Sequence, residues 1–194
     1  MSKRNIIFIL FILFGISGLF TYFQSLPSLL EKKPTLATGK ILARPMEIDQ
    51  FDLIDQNNAL FNNKSLEGGW TVVFFGYTNC PDICPITMSV MTDVYQKLVV
   101  DIEDVQIIFV TVDPERDTRE KLAEYLAYFQ IGALGLTGTT DKIDAVVRQY
   151  GGYYTLNKQE ESADYFADHS TYTYLIDQQG QVRFLFRHGD SPEY

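Results

Sequence analysis

The stretch Thr71–Pro85, TVVFFGYTNCPDICP, constrains the fold of this chain more than any other segment. Its continuous apolar run, Val72–Phe75, predicts a strand that is buried on both faces of a sheet. Gly76 then opens a polar loop that contains both cysteines of the chain, Cys80 and Cys84. A buried strand that delivers two thiols to its C-terminal end and then continues into a helix is typical of a reactive site.

A helix is predicted directly after this loop, from Pro85 to about Val100, because apolar residues recur there with a helical period. Pro85 suits the first helical position and Cys84 the N-cap position. We therefore expect the positive end of the helix dipole to lower the pKa of the Cys84 thiol. Met88 and Met91 could supply thioether ligands to a metal, but their helical spacing on an apolar face predicts that they lie in the core.

Strand and helix signals alternate along the rest of the chain. The N-terminal part of the domain predicts a β-hairpin around Asp55–Asn58, and Tyr153–Asp168 is a polar, acidic excursion. The other predicted elements are a strand at Val105–Val112, a helix from Thr118 to Phe129, a strand at Ala133–Thr137, a helix capped by Thr139 or Thr140 and ending at Tyr150, and a hairpin of Thr171–Ile176 and Val182–Phe186. This order predicts an α/β sandwich of thioredoxin-like type, with a central mixed sheet flanked by helices and an N-terminal hairpin.

The composition is that of a globular protein with room for one domain and an appendage, since 46% of the 194 residues are hydrophobic and 21% are charged. The formal net charge is −9, and basic residues do not cluster beyond the N-terminus. A domain this acidic is a poor match for a phosphate backbone, so we exclude nucleic acid as a partner.

The N-terminus predicts a membrane anchor. The run Ile6–Phe23 carries no charge and is near the length of about 18 residues or more that crosses a hydrocarbon core. Lys3 and Arg4 precede it and favour a cytoplasmic N-terminus. A cleaved signal peptide is the alternative, but the bulky segment Tyr22–Leu26 offers no small-residue cleavage site. We therefore expect a single-pass protein of the bacterial inner membrane, with cytoplasmic residues 1–5, a transmembrane signal anchor at 6–23, a linker at 24–45 and a periplasmic domain at 46–194.

The spacing of the two cysteines leaves three chemistries open. Exported proteins commonly pair their cysteines, but a disulfide between Cys80 and Cys84 would close a very short loop and stabilise little. A thioredoxin-like redox pair has two residues between its cysteines. Here Pro81, Asp82 and Ile83 intervene, which lets both sulfur atoms face a common external atom. Metal binding, redox exchange and an inert disulfide therefore all stay open.

The two histidines of the chain differ in their setting. His169 directly precedes a predicted core strand, whereas His188 lies near the C-terminus, where a solvated loop histidine is expected. Loops at one end of a sheet with parallel strands converge, so His169 could approach the loop of Cys80 and Cys84. Two thiolates and one imidazole form a soft three-ligand set that suits copper, Cu(I) in particular. A structural or capping role of His169 is the alternative.

A second polar cluster, Asp113–Asp117 (DPERD), follows the second buried strand. Its carboxylates could bind a metal or take part in acid–base chemistry. A bend set by Pro114, with Asp117 and Thr118 capping the next helix, accounts for the same residues, and we prefer this structural interpretation.

Three segments together resemble the signature blocks of the Sco/SenC family. They are residues 77–85 (YTNCPDICP), 110–118 (VTVDPERDT) and 168–170 (DHS). Members of this family are membrane-anchored copper chaperones with a thioredoxin fold that help to assemble the CuA centre of cytochrome c oxidase. The resemblance extends in order and at compatible spacing from residue 46 to residue 190.

The resemblance implies a set of copper ligands, namely Cys80, Cys84 and His169. It also implies that Asp82 and Asp168 support these ligands from outside. The implied function is that of a metallochaperone that delivers copper, as Cu(I) or Cu(II), to the CuA-bearing subunit of cytochrome c oxidase. Other periplasmic copper chaperones and thioredoxin-like reductants are further expected partners. A thiol–disulfide oxidoreductase that reduces the cysteines of the acceptor, or a copper or redox sensor, stays open as an alternative.

One feature departs from the family pattern. Family members usually continue past the last strand into a C-terminal helix, and Ser191–Glu193 predicts only the start of one. Either the chain is shortened or this member lacks the helix. In both cases we expect one flank of the sheet to be less covered and the fold to be less stable, with no change at the three ligand positions.

Overall fold

The fold is described from a computed structural model, which covers residues 39–98, 105–158 and 165–190. These residues belong to one unit of the chain and form ten strands and three α-helices. No helix within them is long and apolar enough to cross a membrane. The predicted anchor at 6–23, most of the predicted linker and the helix start predicted at Ser191 lie outside the described residues.

The described residues form one large sheet and one small ladder. The strands are β1 (Lys40–Met46), β2 (Asp52–Asp55), β3 (Leu60–Asn62), β4 (Trp70–Gly76), β5 (Val105–Thr111), β6 (Leu134–Thr137), β7 (Tyr154–Leu156), β8 (Ala167–His169), β9 (Thr173–Ile176) and β10 (Val182–Phe186). Eight of them form a mixed sheet in the order β1-β10-β9-β4-β5-β6-β2-β3, and β7 pairs with β8. β4, β5 and β6 run parallel, and the other neighbours are antiparallel.

The centre of the sheet is formed by β4 and β5, whose continuous apolar runs leave no polar face. Phe74 of β4 lies opposite Phe109 of β5, and their rings contact on one face of the sheet. Phe75 points to the other face and packs edge-on against Tyr150. Both strands are therefore buried on both faces, as their sequences predict.

Three helices cover this sheet, namely α1 (Ile83–Leu98), α2 (Arg119–Ala127) and α3 (Thr140–Gln149). Tyr125 of α2 contacts Phe109, whereas Tyr150, directly after α3, contacts Phe75, so α2 and α3 lie on opposite faces. Met88 of α1 is fully buried, which confirms its predicted place in the core. The predicted α/β sandwich with a mixed sheet, a β2–β3 hairpin and a closing β9–β10 hairpin is confirmed.

The start of α1 differs from the prediction. The helix begins at Ile83, and its first hydrogen bond runs from the Ile86 N–H to the Asp82 carbonyl. Cys84 therefore lies in the first turn and not at the N-cap. Pro85 is accommodated there because the N–H groups of the first turn have no partner within the helix, so the missing N–H of proline breaks no hydrogen bond.

The predicted linker 24–45 is wrong at its C-terminal end. Residues 40–45 belong to β1, which pairs antiparallel with β10 at the edge of the sheet. The register of this pair shifts between Ile41 and Met46. Pro45 lies within the irregular part, and proline is tolerated at such bulges on edge strands.

The polar excursion predicted at 153–168 contains more structure than expected. Its two ends form β7 and β8, and Tyr154 pairs with His169 in their antiparallel ladder. These strands have three residues each, too few for a period of two to show in the sequence. We call β7, β8 and their described flanking residues Asn157, Lys158, Tyr165 and Phe166 the His169 hairpin.

Candidate metal centre

The side chains of Cys80, Cys84 and His169 converge at the C-terminal end of β4. Cys80 lies in the loop after β4, Cys84 in the first turn of α1 and His169 at the end of β8. Their ligand atoms all lie within 4.8 Å of one another. Cys84 Sγ and His169 Nε2 are 3.5 Å apart although the residues are separated by 85 positions. His188 lies apart from this group, exposed, with Nδ1 3.3 Å from the Thr87 hydroxyl.

The imidazole of His169 is oriented for ligation through Nε2. Its Nδ1 lies 2.9 Å from the carbonyl oxygen of Ser170, and because a carbonyl only accepts, Nδ1 carries the proton. The lone pair on Nε2 therefore faces the sulfur atoms. The rings of Phe74 and Tyr77 meet the imidazole edge-on, with centroid distances of 6.1 Å and 5.9 Å, and these contacts define the plane of the imidazole. A hydrogen bond at the second nitrogen is the usual way in which proteins orient a metal-binding histidine.

The surroundings shift the pKa values of the two thiols in opposite directions. Cys84 is fully buried, whereas Cys80 is partly exposed. Hydrogen bonding by the Cys84 thiol, together with the backbone N–H groups of Asp82 and Cys84, lowers the pKa of the Cys80 thiol, and partial burial opposes this effect. The same interaction between the thiols, together with burial, raises the pKa of the Cys84 thiol. Cys80 is therefore the thiol that ionises first, and Cys84 keeps its proton to higher pH.

The prediction that Cys84 has the lowered pKa is wrong. The backbone N–H of Cys84, at the positive end of α1, donates to Cys80 Sγ at 3.5 Å. The helix N-terminus thus stabilises negative charge on Cys80. The Cys84 side chain instead points into the core, where a thiolate would be desolvated.

Gly76 makes room for the buried sulfur at the end of β4. A Cβ atom at this position would lie 2.9 Å from Cys84 Sγ and 2.8 Å from the ring of Phe109. Contacts this short require a neighbour to move. The glycine at the strand end therefore allows Cys84 to pack closely against the sheet. Glycine is needed here because it lacks a side chain, and not because of a turn conformation.

Asp117 ties the cysteine loop to the end of β5. The fully buried Asp117 carboxylate accepts from the Thr78 N–H at 3.0 Å, the Thr78 hydroxyl at 2.6 Å and the Thr111 hydroxyl at 2.6 Å. Burial raises the pKa of the Asp117 carboxyl, and these hydrogen bonds oppose the rise. The predicted capping role of Asp117 is wrong, because the side chain that caps α2 is that of Thr118, which accepts from the Lys121 N–H. The prediction for Thr118 is confirmed.

The two aspartates expected to support the ligands do not contact them through their carboxylates. Asp168 is exposed, and its carboxylate accepts from the side chain of Asn157. Side chains alternate along β8, so Asp168 points away from the face that carries His169, and the predicted support of His169 by Asp168 is wrong. Asp82 is also exposed, and it acts on Cys80 through its backbone N–H.

Sequence reasoning missed Tyr77, Thr78 and Asp117 as residues of this centre. All three lie inside segments already singled out, next to the cysteines or in the DPERD cluster. Their contacts join parts of the chain 39 positions apart or more, and a single sequence carries no signal for such pairs.

The comparison with protein families agrees with this geometry. The family model described as SCO1/SenC matches residues 41–194. The chain belongs to the SCO1/SenC family. The resemblance noted in the three sequence segments is thereby confirmed, since the match includes all of them.

Individual relatives in the SCO1/SenC family extend the likeness. An SCO2-like protein of Rickettsia felis is 35% identical over 193 residues, which cover 98% of this chain and 94% of the relative. The structure of Bradyrhizobium japonicum ScoI with copper bound is 36% identical, with a TM-score of 0.69, and covers 76% of this chain and 93% of that chain.

A third relative is BsSco, in which a disulfide switch was identified and which is described as a member of the Sco family of cytochrome c oxidase assembly proteins. It is 26% identical, with a TM-score of 0.61, over 80% of this chain and 90% of BsSco. The thioredoxin-like α/β fold with a central mixed sheet, predicted from the order of elements, is the fold of these Sco structures.

Proposed function

We propose that this protein is a metallochaperone that carries one copper ion on Cys80, Cys84 and His169 and passes it to an acceptor. The observation that carries the proposal is the convergence of the three ligand atoms within 4.8 Å of one another. Copper is here the cargo and not a resident cofactor. Copper is the metal bound in the structure of the relative Bradyrhizobium japonicum ScoI.

The donor set fits copper. Two sulfur ligands are soft, and together with one imidazole nitrogen they favour Cu(I), while imidazole also suits Cu(II). Bonds of the length found at zinc sites, about 2.3 Å to sulfur and about 2.0 Å to nitrogen, place three ligand atoms about 4 Å apart, and the present spacing accommodates an ion of similar size. Cys80 as a thiolate is ready to bind, and Cys84 loses its proton on binding.

Transfer by ligand exchange follows from the partial exposure of the centre. Cys80 and His169 are partly exposed while Cys84 is buried. A three-ligand site leaves a coordination position to which an incoming cysteine or histidine of the acceptor can bind. Cys80, the partly exposed thiol with the lowered pKa, is the cysteine ligand that an acceptor reaches first.

The acceptor that we propose is the CuA-bearing subunit of cytochrome c oxidase. The support is the assembly role of the Sco family to which BsSco is assigned. Other periplasmic copper chaperones could load the site, and thioredoxin-like reductants could keep its thiols reduced. The formal charge of −9 favours a basic docking surface on such a partner.

We also propose that the domain is held at the bacterial inner membrane by residues 6–23 and faces the periplasm. The support is the uncharged run preceded by Lys3 and Arg4. Membrane fractionation with size determination tests this. A full-length product in the membrane fraction supports the anchor, and a shortened soluble product contradicts it.

Anaerobic Cu(I) titration of the reduced protein tests the metallochaperone proposal. We expect one copper per chain, loss of binding in Cys80→Ser/Cys84→Ser and strongly weakened binding in His169→Ala. His188→Ala is the matched control, because His188 is exposed and lies outside the three-residue cluster. Normal copper binding by His169→Ala would contradict the proposed ligand set.

A thiol–disulfide oxidoreductase is the second candidate, and the unequal thiols favour it. The Cys80 thiolate would attack a disulfide of the acceptor, releasing one acceptor thiolate and forming a mixed disulfide. Cys84, after giving up its proton, would then attack Cys80 Sγ, release the second acceptor thiol and leave a Cys80–Cys84 disulfide. A thioredoxin-like reductant supplies the two electrons for the next turnover. Catalytic reduction of a disulfide substrate that is unchanged in His169→Ala would favour this function over the first.

A further inference from the structure

The turn Asp113–Asp117 contacts both parts of the chain that form the metal centre. It joins β5 to α2 and is closed by hydrogen bonds from the Arg116 and Asp117 N–H groups to the Asp113 carbonyl. The residues Asp113 and Asp117 are both fully buried. Burying a carboxylate is unfavourable unless it is paired and hydrogen-bonded, so the partners of these two groups are held in place.

The first contact of the turn is with the cysteine loop. Asp117 accepts both the N–H and the hydroxyl of Thr78, which precedes Cys80 by two positions. A backbone donor and a side-chain donor on one carboxylate fix both the position and the direction of the chain as it enters the loop.

The second contact of the turn is with the His169 hairpin. The hydroxyl of Tyr165, just before β8, donates to Asp113 Oδ1 at 2.7 Å. Arg116 Nε donates to Asp113 Oδ2, and the Arg116 guanidinium carbon lies 3.5 Å from the centroid of the Tyr165 ring. The hydroxyl and one face of Tyr165 are therefore both held by the turn. Stacking of a guanidinium on an aromatic ring is favourable in itself, and more so where water is excluded.

These contacts hold Arg116 in position, although its guanidinium group does not make all the hydrogen bonds that it could. Its Nη2 is buried without a partner among the described residues. Its guanidinium carbon also lies 5.9 Å from the centroid of Tyr77, whose ring meets the edge of His169. Arg116 thus connects the aromatic ring on the hairpin with the aromatic ring beside the ligand.

The third contact of the turn with the rest of the chain is an exposed ion pair. It is weak and therefore provides a control for the Thr78 and Tyr165 contacts. Glu115 and Lys158 form an ion pair at 2.6 Å, but their side chains are 59% and 43% exposed. Exposed pairs of this kind contribute little to stability, because water and salt screen the two charges. The hairpin is also tied elsewhere, because Tyr154 donates to Asp144 of α3. That bond holds β7 against α3 and does not involve the cysteine loop.

We propose that the Asp113–Asp117 turn sets the position of His169 relative to the two cysteines. Asp113 and Arg116 are positioning residues that act on His169 through Tyr165, while Asp117 acts on the cysteines through Thr78. The inference rests on the proposed function, because its consequence for metal binding requires that His169 is a ligand. Asp113, Arg116 and Asp117 are not themselves among the three proposed copper ligands.

A double-mutant cycle on Cu(I) affinity tests the Tyr165 arm. Tyr165→Phe removes the hydroxyl bond to Asp113, and we expect it to weaken Cu(I) binding about tenfold, as for other groups that orient a metal ligand. In a His169→Ala background the same change should have less than about a twofold effect, because residues that act through one another are not additive. Arg116→Lys, which loses the stacking, should behave in the same way.

Glu115 in the turn and Thr78 in the cysteine loop provide matched variants. Glu115→Gln removes the charge that pairs with Lys158 in the exposed contact, and it should leave the affinity unchanged. Thr78→Val removes one donor to Asp117, and its loss of affinity should persist in the His169→Ala background, because this arm acts on the cysteines. Equal losses for Tyr165→Phe in both backgrounds, or normal affinity in both Tyr165→Phe and Arg116→Lys, would overturn the inference.

Measurements on the copper-free protein separate this inference from the proposed function. Faster amide hydrogen exchange over Ala167–Ser170 and shifted NMR resonances of the His169 ring are expected in Tyr165→Phe but not in Glu115→Gln. If the wild type failed to bind copper, the proposed function would be wrong and these two measurements would still decide the positioning role. Unchanged exchange and unchanged ring resonances in Tyr165→Phe would refute it.

Discussion

Cys80 and Cys84 are chemically identical side chains, and their surroundings make them different reagents. The N-terminus of α1 and the Cys84 thiol stabilise negative charge on Cys80, whereas the Cys84 sulfur lies in the core beside Gly76. The centre therefore presents one partly exposed thiolate and one buried thiol. This division suits a site that first captures a soft metal or a disulfide on Cys80 and then completes the reaction with Cys84.

Alkylation at controlled pH tests the division between the thiols. We expect iodoacetamide to modify Cys80 much faster than Cys84 at pH 6, because the lowered pKa of Cys80 keeps it a thiolate well below the usual thiol pKa of about 8.5. In Cys84→Ala the hydrogen-bond donor is lost, so the pKa of Cys80 rises and its rate at pH 6 falls. Mass spectrometry of the labelled peptides gives both rates. A Cys80 rate that follows an ordinary thiol titration in the wild type would contradict this assignment.

The close packing around Gly76 gives a second prediction for a single residue. Gly76→Ala places a methyl group against Cys84 Sγ and Phe109, and overpacking of this kind should destabilise the fold by about 1–3 kcal/mol. Chemical denaturation measures the loss. Gly39→Ala is the comparison, because its new methyl group would meet the ring of Phe186, which is partly exposed, and not the buried sulfur of Cys84. Wild-type stability in Gly76→Ala would show that Cys84 is not held against β4.

At the level of elements, the segments after β4 and β5 determine the centre. The C-terminal ends of neighbouring parallel strands lie side by side. The cysteine loop after β4 and the Asp113–Asp117 turn after β5 are therefore adjacent. Each segment runs into a helix, α1 and α2 respectively. The His169 hairpin lies outside the main sheet. Its Tyr165 hydroxyl donates to Asp113, and this contact holds the hairpin beside the C-terminal ends of β4 and β5.

The helix caps provide a prediction with a built-in comparison. Thr118 caps α2 with its side chain, which accepts from the Lys121 N–H, whereas Thr139 at the N-cap of α3 makes no side-chain hydrogen bond. Thr118→Ala should therefore lower the free energy of unfolding by about 1 kcal/mol. Thr139→Ala should lower it less. Urea denaturation of the two variants checks the difference, and equal losses would show that the cap hydrogen bond of α2 contributes nothing.

For the whole molecule, the metal centre is a link between distant parts of one chain. Cys84 and His169 are 85 positions apart, and the hairpin that carries His169 is not part of the eight-stranded sheet. A bound ion would join this hairpin to the β4–α1 core directly. Metal binding and stability are therefore coupled in this fold.

Copper loading should raise the stability of the whole domain. At a free Cu(I) concentration of 100 times Kd, the linkage relation gives about 2.7 kcal/mol of added stability. His169→Ala should gain less at the same copper concentration, while His188→Ala should gain as much as the wild type. Anaerobic thermal unfolding with and without Cu(I) provides the measurement. No copper-dependent shift in the wild type would contradict a link between the two parts of the chain.

The sequence by itself determined the order of the core strands and helices along the chain, the place of the cysteines at the end of β4 and the candidacy of His169. Periodicity and the two continuous apolar runs carry this information locally, because a strand buried on both faces needs apolar residues throughout. The family resemblance rested on short segments whose spacing is visible without a structure. The limits of α1 and of the linker were less accurate, since the first turn of a helix and an edge strand have weak local signals.

The tertiary structure decided which cysteine is the thiolate, which aspartates matter and what holds His169 in place. Cys84 was predicted to be the acidic thiol from its position in the chain, but burial and the direction of one backbone N–H reversed that order. Asp168 adjoins the histidine in sequence yet faces the other side of β8, whereas Asp117 lies far away in sequence and holds the cysteine loop. Such roles depend on hydrogen bonds and burial between distant segments, and these exist only once the chain has folded.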